Sequence, residues 1–188
     1  MQLNPQLAAA IEQVDALRKT VDDHMQIPRI EGEMLHHIAL AVGAKLIVEV
    51  GTSYGFSGIF WASAMRQTGG MLHTIDISQK KYDASRRHFE LAGLTAHIVS
   101  HFGDARVEIP KIAGLVDIAF LDGTDKSMSR EFFELIWPKI HRGGSVLTDN
   151  THSHPEELAD YVKFCRARTD ASSIGLSVGN GVEWTTKL

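Results

Sequence analysis

The absences in this 188-residue chain narrow its class before any motif is read. It has a single cysteine, Cys165, which rules out an internal disulfide framework and suits a reducing compartment. It has no surplus of positive charge. With 19 basic and 23 acidic residues its net charge is −4, which gives no electrostatic case for nucleic acid. No apolar run approaches the roughly 20 residues of a membrane span, and Met1 to Thr20 has no basic stretch followed by a continuous apolar core. A cytoplasmic protein without membrane contact is therefore expected. Ten histidines (His24, His36, His37, His73, His88, His97, His101, His141, His152, His154) are many for this length. They are scattered, and no HExxH or CxxC spacing makes a zinc motif of them. Repeats, low-complexity segments and linkers are absent too, so residues 1–188 read as one domain with a packed core.

What is present is alternation. Asn4-Pro5 reads as a helix start, and Leu7, Ile11, Val14, Leu17 and Val21 recur at helical spacing. After Pro28 a second helix is expected over about Glu31 to Val42, which makes residues 1–43 a helical segment before a core at 44–188. From there strands are expected at 46–50, 71–75, 96–100, 116–121 and 145–148, and helices at 57–66, 79–92, 105–113, 128–140 and 155–168. Gly69-Gly70, Gly93, Gly114 and Gly143-Gly144 read as helix ends. The alternation predicts an α/β fold with a doubly wound, mostly parallel sheet. Ser172 to Val178, the turn Gly179-Asn180-Gly181, and Val182 to Lys187 predict a C-terminal antiparallel hairpin.

In such a sheet, ligands sit outside the carboxyl ends of the strands. The first expected strand carries Glu49 and runs into Gly51-Thr52-Ser53-Tyr54-Gly55-Phe56-Ser57-Gly58, and the second ends in Asp76. Glycines let the backbone approach a nucleoside, and the second acid takes ribose hydroxyls. The dehydrogenase spacing GxGxxG is missing, and so is a Tyr-x-x-x-Lys pair. Further on, Asp122 closes Val116–Leu121, and Asp149-Asn150 closes Ser145–Thr148. If those strands are neighbours, two carboxylates and an amide converge as a hard oxygen site that suits Mg²⁺ or Ca²⁺. The competing reading makes Asp149 a cap and Asn150 an Asx turn.

The pattern Glu-x-Gly-x-Ser-x-Gly resembles the first motif of class I S-adenosylmethionine-dependent methyltransferases. The whole order of motifs is similar to the cation-dependent O-methyltransferases, the catechol and caffeoyl-CoA type with small bacterial relatives. The stretches that carry this are Ile27–Gly32, Glu49–Ser57, Asp76, Gly103-Asp104-Ala105, Phe120-Leu121-Asp122, Gly143-Gly144 to Asp149-Asn150, and Gly179–Val182. The resemblance implies a seven-stranded Rossmann-like sheet, S-adenosyl-L-methionine as cofactor, a divalent cation such as Mg²⁺, and a small hydroxylated, catechol-like acceptor. It also admits a homodimer. It implies that Gly51, Ser53 and Ser57 line the methionine moiety and that Glu49 organises the turn. Asp76 would hold the ribose, Ile77 would pack on the adenine, and Asp104 and Ala105 would lie near the adenine edge. Asp122, Asp149 and Asn150 would bind the metal.

One position departs from that pattern. The family's lysine base lies three residues after the first metal aspartate, where this chain has Asp125. Lys126 follows one residue later. The candidates for the base are then Lys126 and His152, two residues after Asn150; the alternative is that neither serves and the metal itself lowers the phenol pKa. Met25, Phe56, Trp61, Met128, Phe132 and Trp184 are candidate apolar walls of the acceptor pocket, with ordinary core packing as the competing role. Competing functions are a methyltransferase that needs no metal, a nicotinamide-dependent oxidoreductase, and a non-catalytic S-adenosylmethionine-binding protein.

Overall fold

The computed structural model describes residues 4–23 and 25–188, so Met1, Gln2, Leu3 and His24 lie outside the described residues. Helix α1 (Pro5–Ala16) begins where the Asn4 side-chain oxygen accepts the Leu7 amide at 2.7 Å, with Pro5 presetting the first helical φ. Helix α2 (Arg29–Ala41) starts directly after Pro28. Then come β1 (Leu46–Val50), α3 (Phe56–Thr68), β2 (Met71–Asp76), α4 (Gln79–Leu91), β3 (Ile98–Phe102), α5 (Ala105–Lys111) and β4 (Val116–Leu121). The chain continues through α6 (Ser129–Ile136), β5 (Ile140–Thr148), α7 (Pro155–Arg166), β6 (Ala171–Leu176) and β7 (Val182–Lys187).

The strands form one seven-stranded sheet in the order β3-β2-β1-β4-β5-β7-β6. β1 pairs in parallel with both β2 and β4, whereas β7 runs antiparallel to β5 and β6. The sheet is thus mostly parallel with an antiparallel C-terminal hairpin. Side chains alternate between its faces, as the two-residue period of a strand requires. Ile47, Ile118, Phe120 and Leu147 join Leu7, Leu35, Phe60 and Trp61 of α1 to α3 on one face. Val48, Val50, Ala119, Leu121 and Val146 join Ile109, Phe133, Ile136 and Leu158 of α5 to α7 on the other. The chain order reverses between β1 and β4, so the crevice at their carboxyl ends is the switch point where ligands bind in such sheets.

Several boundaries differ from the sequence reading. The third strand starts at Ile98 instead of residue 96, because Thr95–His97 forms a 3-10 turn. Helix α5 stops at Lys111, just after Pro110 removes an amide donor. The helix expected over 128–140 is α6, ended ahead of Pro138 and followed by a 3-10 turn at Trp137–Lys139. β5 then begins at Ile140, so Gly143-Gly144 lie inside a strand and do not end a helix. The register against β4 shifts between Val116 and Ile118, and the glycine pair sits at that irregularity.

Candidate functional site

The turn after β1 is held by its neighbours. The amides of Gly51 and Thr52 donate to the Ile75 carbonyl at the end of β2, at 3.0 and 3.3 Å. Gly51 has φ +99°, and a Cβ there would stand 2.2 Å from the Asp122 carbonyl oxygen. Only glycine lets the ends of β1 and β4 approach this closely. Ser53, at φ +47°, donates its amide to Asp76 Oδ2 at 2.7 Å, and Asp76 Oδ1 accepts from the Ser78 amide at 2.8 Å. Each Asp76 oxygen keeps a lone pair for another donor. Beneath the turn Glu49 is fully buried. Thr74 Oγ1 donates to it at 2.5 Å, and Thr52 bonds to Thr74 in turn at 2.5 Å. Burial pushes the Glu49 carboxyl up to about 7, against the opposing pull of the Thr74 and Ser57 hydroxyls.

A cavity of about 310 Å³ opens above this turn. Gly51, Asp76, Ile77, Asp104 and Ala105 line it, with Arg106, Gly123, Thr124, Met128 and Phe132 among the rest. Ile77 is 70% exposed at the rim. Asp104 caps α5 through the Arg106 amide at 2.8 Å and pairs with the Arg106 guanidinium, whose hydrogen bonds hold its carboxyl below the usual range. Glu49 and Ser57 are buried below the turn and do not line the cavity. Ser53 lines a smaller pocket of about 30 Å³ beside it, together with Met25, Gly51, Asp76, Lys81, Asp122, Thr124 and Lys126. That pocket joins the nucleoside-sized cavity to a cluster of acids.

The cluster forms because β4 and β5 are parallel neighbours, which sets Asp122 beside Asp149-Asn150. Lys126 is only 4% exposed and its Nζ lies 3.1 Å from Asp122 Oδ1. Burial, then the nearby Asp149, push the Asp122 carboxyl up to about 7, against the pull of Lys126. Asp149 is 1% exposed and burial raises it too; its Oδ2 accepts from Asn180 Nδ2 at 3.3 Å. Asn150 adopts φ +74° and donates Nδ2 to Ser153 at 3.0 Å. His152 is exposed, its amide bonded to the Asn180 carbonyl and its ring against Gly181. Of the two candidate bases, the structure brings only Lys126 to the acids.

A third acid joins this cluster, one to which the sequence motifs assign no role. Glu31, in the first turn of α2, is 0% exposed; its Oε2 accepts the Asn180 amide at 3.2 Å. Burial, then Asp149, push its carboxyl up to about 10. Its spacing from Leu35 and Ala39 put an acid on the apolar face of α2, and that was the available signal. Phe56 and Trp61, in contrast, are buried core residues, and Trp184 packs against the same core.

Buried Asp149 Oδ1 and Asn150 Oδ1 have no hydrogen-bond partner. Orphaned hard oxygens in a dry site are the chemistry a divalent cation satisfies, so the donor set fits one. Among the described residues, no three His, Cys, Asp or Glu side chains are already arranged around a common metal position.

A family model described as "Methyltransferase domain" matches residues 48–151. The chain is 28% identical over 153 residues to a catechol O-methyltransferase of Mycobacterium tuberculosis, covering 78% of this chain and 65% of that protein. It is 29% identical over 124 residues to one of Niastella koreensis, covering 64% and 55%. The chain thus spans less than two thirds of the length of these curated relatives. Its fold superimposes on the SAH-bound methyltransferase PaMTH1 of Podospora anserina with a TM-score of 0.86 at 20% identity, covering 99% of this chain and 89% of the other.

Proposed function

The chain belongs to the methyltransferase-domain family, and from that premise we propose that it is an S-adenosylmethionine-dependent O-methyltransferase acting on a hydroxyl of a small, catechol-like acceptor at a divalent cation. The observation that carries this is the adjacency of two unlike sites. A cavity bearing Gly51 and Asp76 is joined, through a pocket lined by Ser53, Asp122 and Lys126, to buried oxygen donors on neighbouring strands. The names of the relatives and the SAH held by the Podospora anserina protein support the same cofactor and acceptor class.

On this reading Asp76 holds the ribose hydroxyls with its spare lone pairs, and Ile77 and Ala105 cover the base. Ser53 lies just ahead of the N-terminal end of α3, where the helix dipole favours the methionine carboxylate, while Ser57 in the first turn of α3 holds Glu49 beneath it. Asp122, Asp149 and Asn150 hold the cation. When bound, the cofactor supplies a sulfonium-activated methyl group and the cation lowers the pKa of the acceptor hydroxyl. Lys126 Nζ is the group placed to hold that hydroxyl oxygen, since His152 faces solvent; as an ammonium it would donate to the developing oxyanion, and only after passing its own proton to Asp122 would it take the hydroxyl proton. The fold fixes these groups in advance, so the reaction gains from position and from a preorganised field.

One observation favours methyl transfer without a cation: the Lys126 ammonium already stands against Asp122. Isothermal titration with S-adenosylmethionine and then Mg²⁺, on wild type and Asp149→Ala, separates the readings. The expected result is that both ligands bind and the substitution removes only the cation, together with transfer to catechols. Cofactor binding without cation binding, with activity that survives EDTA, would favour the metal-free reaction. Cofactor binding with no transfer to any acceptor would leave a binding protein.

A further inference from the structure

Two acids that face each other in a dry site need something positive between them. Glu31 and Asp149 are both almost wholly buried and lie within hydrogen-bonding reach of one another. Each gives one oxygen to Asn180, Glu31 to its backbone amide and Asp149 to its side-chain amide. The other oxygens, Glu31 Oε1 and Asp149 Oδ1, have no hydrogen-bond partner, and neither has the buried Asn150 Oδ1 beside them. Without a cation a proton on Glu31 can bridge the pair, but two ionised carboxylates accept only, so neither then satisfies the other. We propose that Glu31, delivered from the first turn of α2, is a further direct oxygen ligand of the divalent cation held by Asp122, Asp149 and Asn150.

The inference rests on the cation-dependent reading above and adds a ligand from outside the sheet. Once ionised, the three carboxylates outnumber the one lysine of this cluster, and a hard cation that displaces their protons neutralises the surplus. The hairpin is shaped around Glu31: a Cβ on Gly179 would fall 2.0 Å from Glu31 Oε2. A cation bound this way ties α2 and the 177–181 turn to the ends of β4 and β5. The N-terminal helical segment then completes the acceptor site.

The test counts ligands instead of turnover. Mn²⁺ affinity is measured by titration, and Tb³⁺ luminescence lifetimes in H₂O and D₂O report coordinated waters. Both are measured on wild type, Glu31→Gln and Gly179→Ala, with S-adenosylhomocysteine affinity as the check on folding. Glutamine keeps the shape, removes the charge and can donate to Asp149. The expected result is Mn²⁺ binding at least about tenfold weaker in Glu31→Gln, with about one more water on Tb³⁺. Gly179→Ala, which crowds the intact Glu31 carboxylate, should change both readouts in the same direction. It also keeps the test decisive if Glu31→Gln does not fold. Unchanged affinity and hydration in the variants would remove Glu31 from the ligand set and leave the cation reading standing. Weaker binding without the extra water would overturn ligation and make Glu31 a positioning residue. Wild-type protein that takes up neither ion would overturn both.

Discussion

At Glu49 a single carboxyl ties the stability of the glycine turn to pH. It is fully buried, and its pKa rises from 4.5 to about 7, chiefly through desolvation. An acid whose folded pKa is raised binds its proton more tightly in the native state. Its contribution to stability is therefore complete below about 4.5 and is lost as pH rises through about 7. The loss is on the order of 3 kcal/mol for a shift of this size. Glu49→Gln keeps an oxygen acceptor for Thr74 and cannot titrate. Urea unfolding of both proteins, free of ligands, should show wild type losing about 3 kcal/mol relative to the variant between about pH 4.5 and about pH 8. Parallel pH profiles would mean that Glu49 is solvated or paired better than its surroundings indicate. The residue itself was legible in the sequence, because an acid inside an apolar strand has no packing reason to be there. Its placement beneath the turn was not, since that depends on the Thr74 and Thr52 hydroxyls supplied by the neighbouring strand and the turn.

Among the α-helices of the described residues, α5 is the shortest. It has seven residues and carries Pro110, so its start matters more than its interior. Asp104 caps it, and the same residue lines the cofactor cavity. Asp104→Ala should cost about 1 kcal/mol, or roughly 2–4 °C of midpoint for a chain of this size, and should weaken S-adenosylmethionine binding. Asp104→Asn keeps the cap. If calorimetry shows Asn restoring the midpoint and titration shows it restoring affinity, the cap shapes the cavity. If only the midpoint returns, the carboxylate itself contacts the ligand. A midpoint unmoved by Asp104→Ala would show that α5 is held by Ile109 packing alone. Elements were readable where local chemistry sets them. The β1–α3–β2 unit follows from an apolar run, a glycine turn and an acid. The start of β5 was hidden because Ile136 to Lys139 continues a helical pattern and Gly143-Gly144 looks like a break. The strand exists because β4 pairs with it from Ile140, across the register shift.

Across the whole molecule the acid cluster is a long-range construction. Asn180 meets Glu31 across 149 residues of sequence, and no local pattern states that contact. Strand order could be argued from alternation, so Asp122 and Asp149 could be paired in advance; the arrival of α2 against the hairpin could not. This assembly has an energetic consequence. Burial raises Glu31, Asp122 and Asp149 above their ordinary carboxylate range. For Asp122, the stability present below pH 3.8 is lost as pH rises through about 7. A cation that binds only the folded cluster opposes that loss by mass action, adding about 2.7 kcal/mol at a hundredfold excess over its dissociation constant. For a chain of this size that is roughly 5–10 °C of midpoint. On the proposed reading, Mg²⁺ or Mn²⁺ should raise the thermal midpoint of wild type, and by more at about pH 8 than at about pH 5, where protons compete for the same oxygens. EDTA should reverse the shift, and Asp149→Ala should abolish it. Asp149→Asn is the complementary case. It removes a buried charge while Asn180 remains nearby, so its metal-free midpoint at about pH 8 should lie above that of wild type, with no response to cation. A wild-type midpoint indifferent to divalent cations from about pH 5 to about pH 8 would mean that Lys126 and shared protons satisfy the cluster, and that the acceptor hydroxyl is activated without a metal.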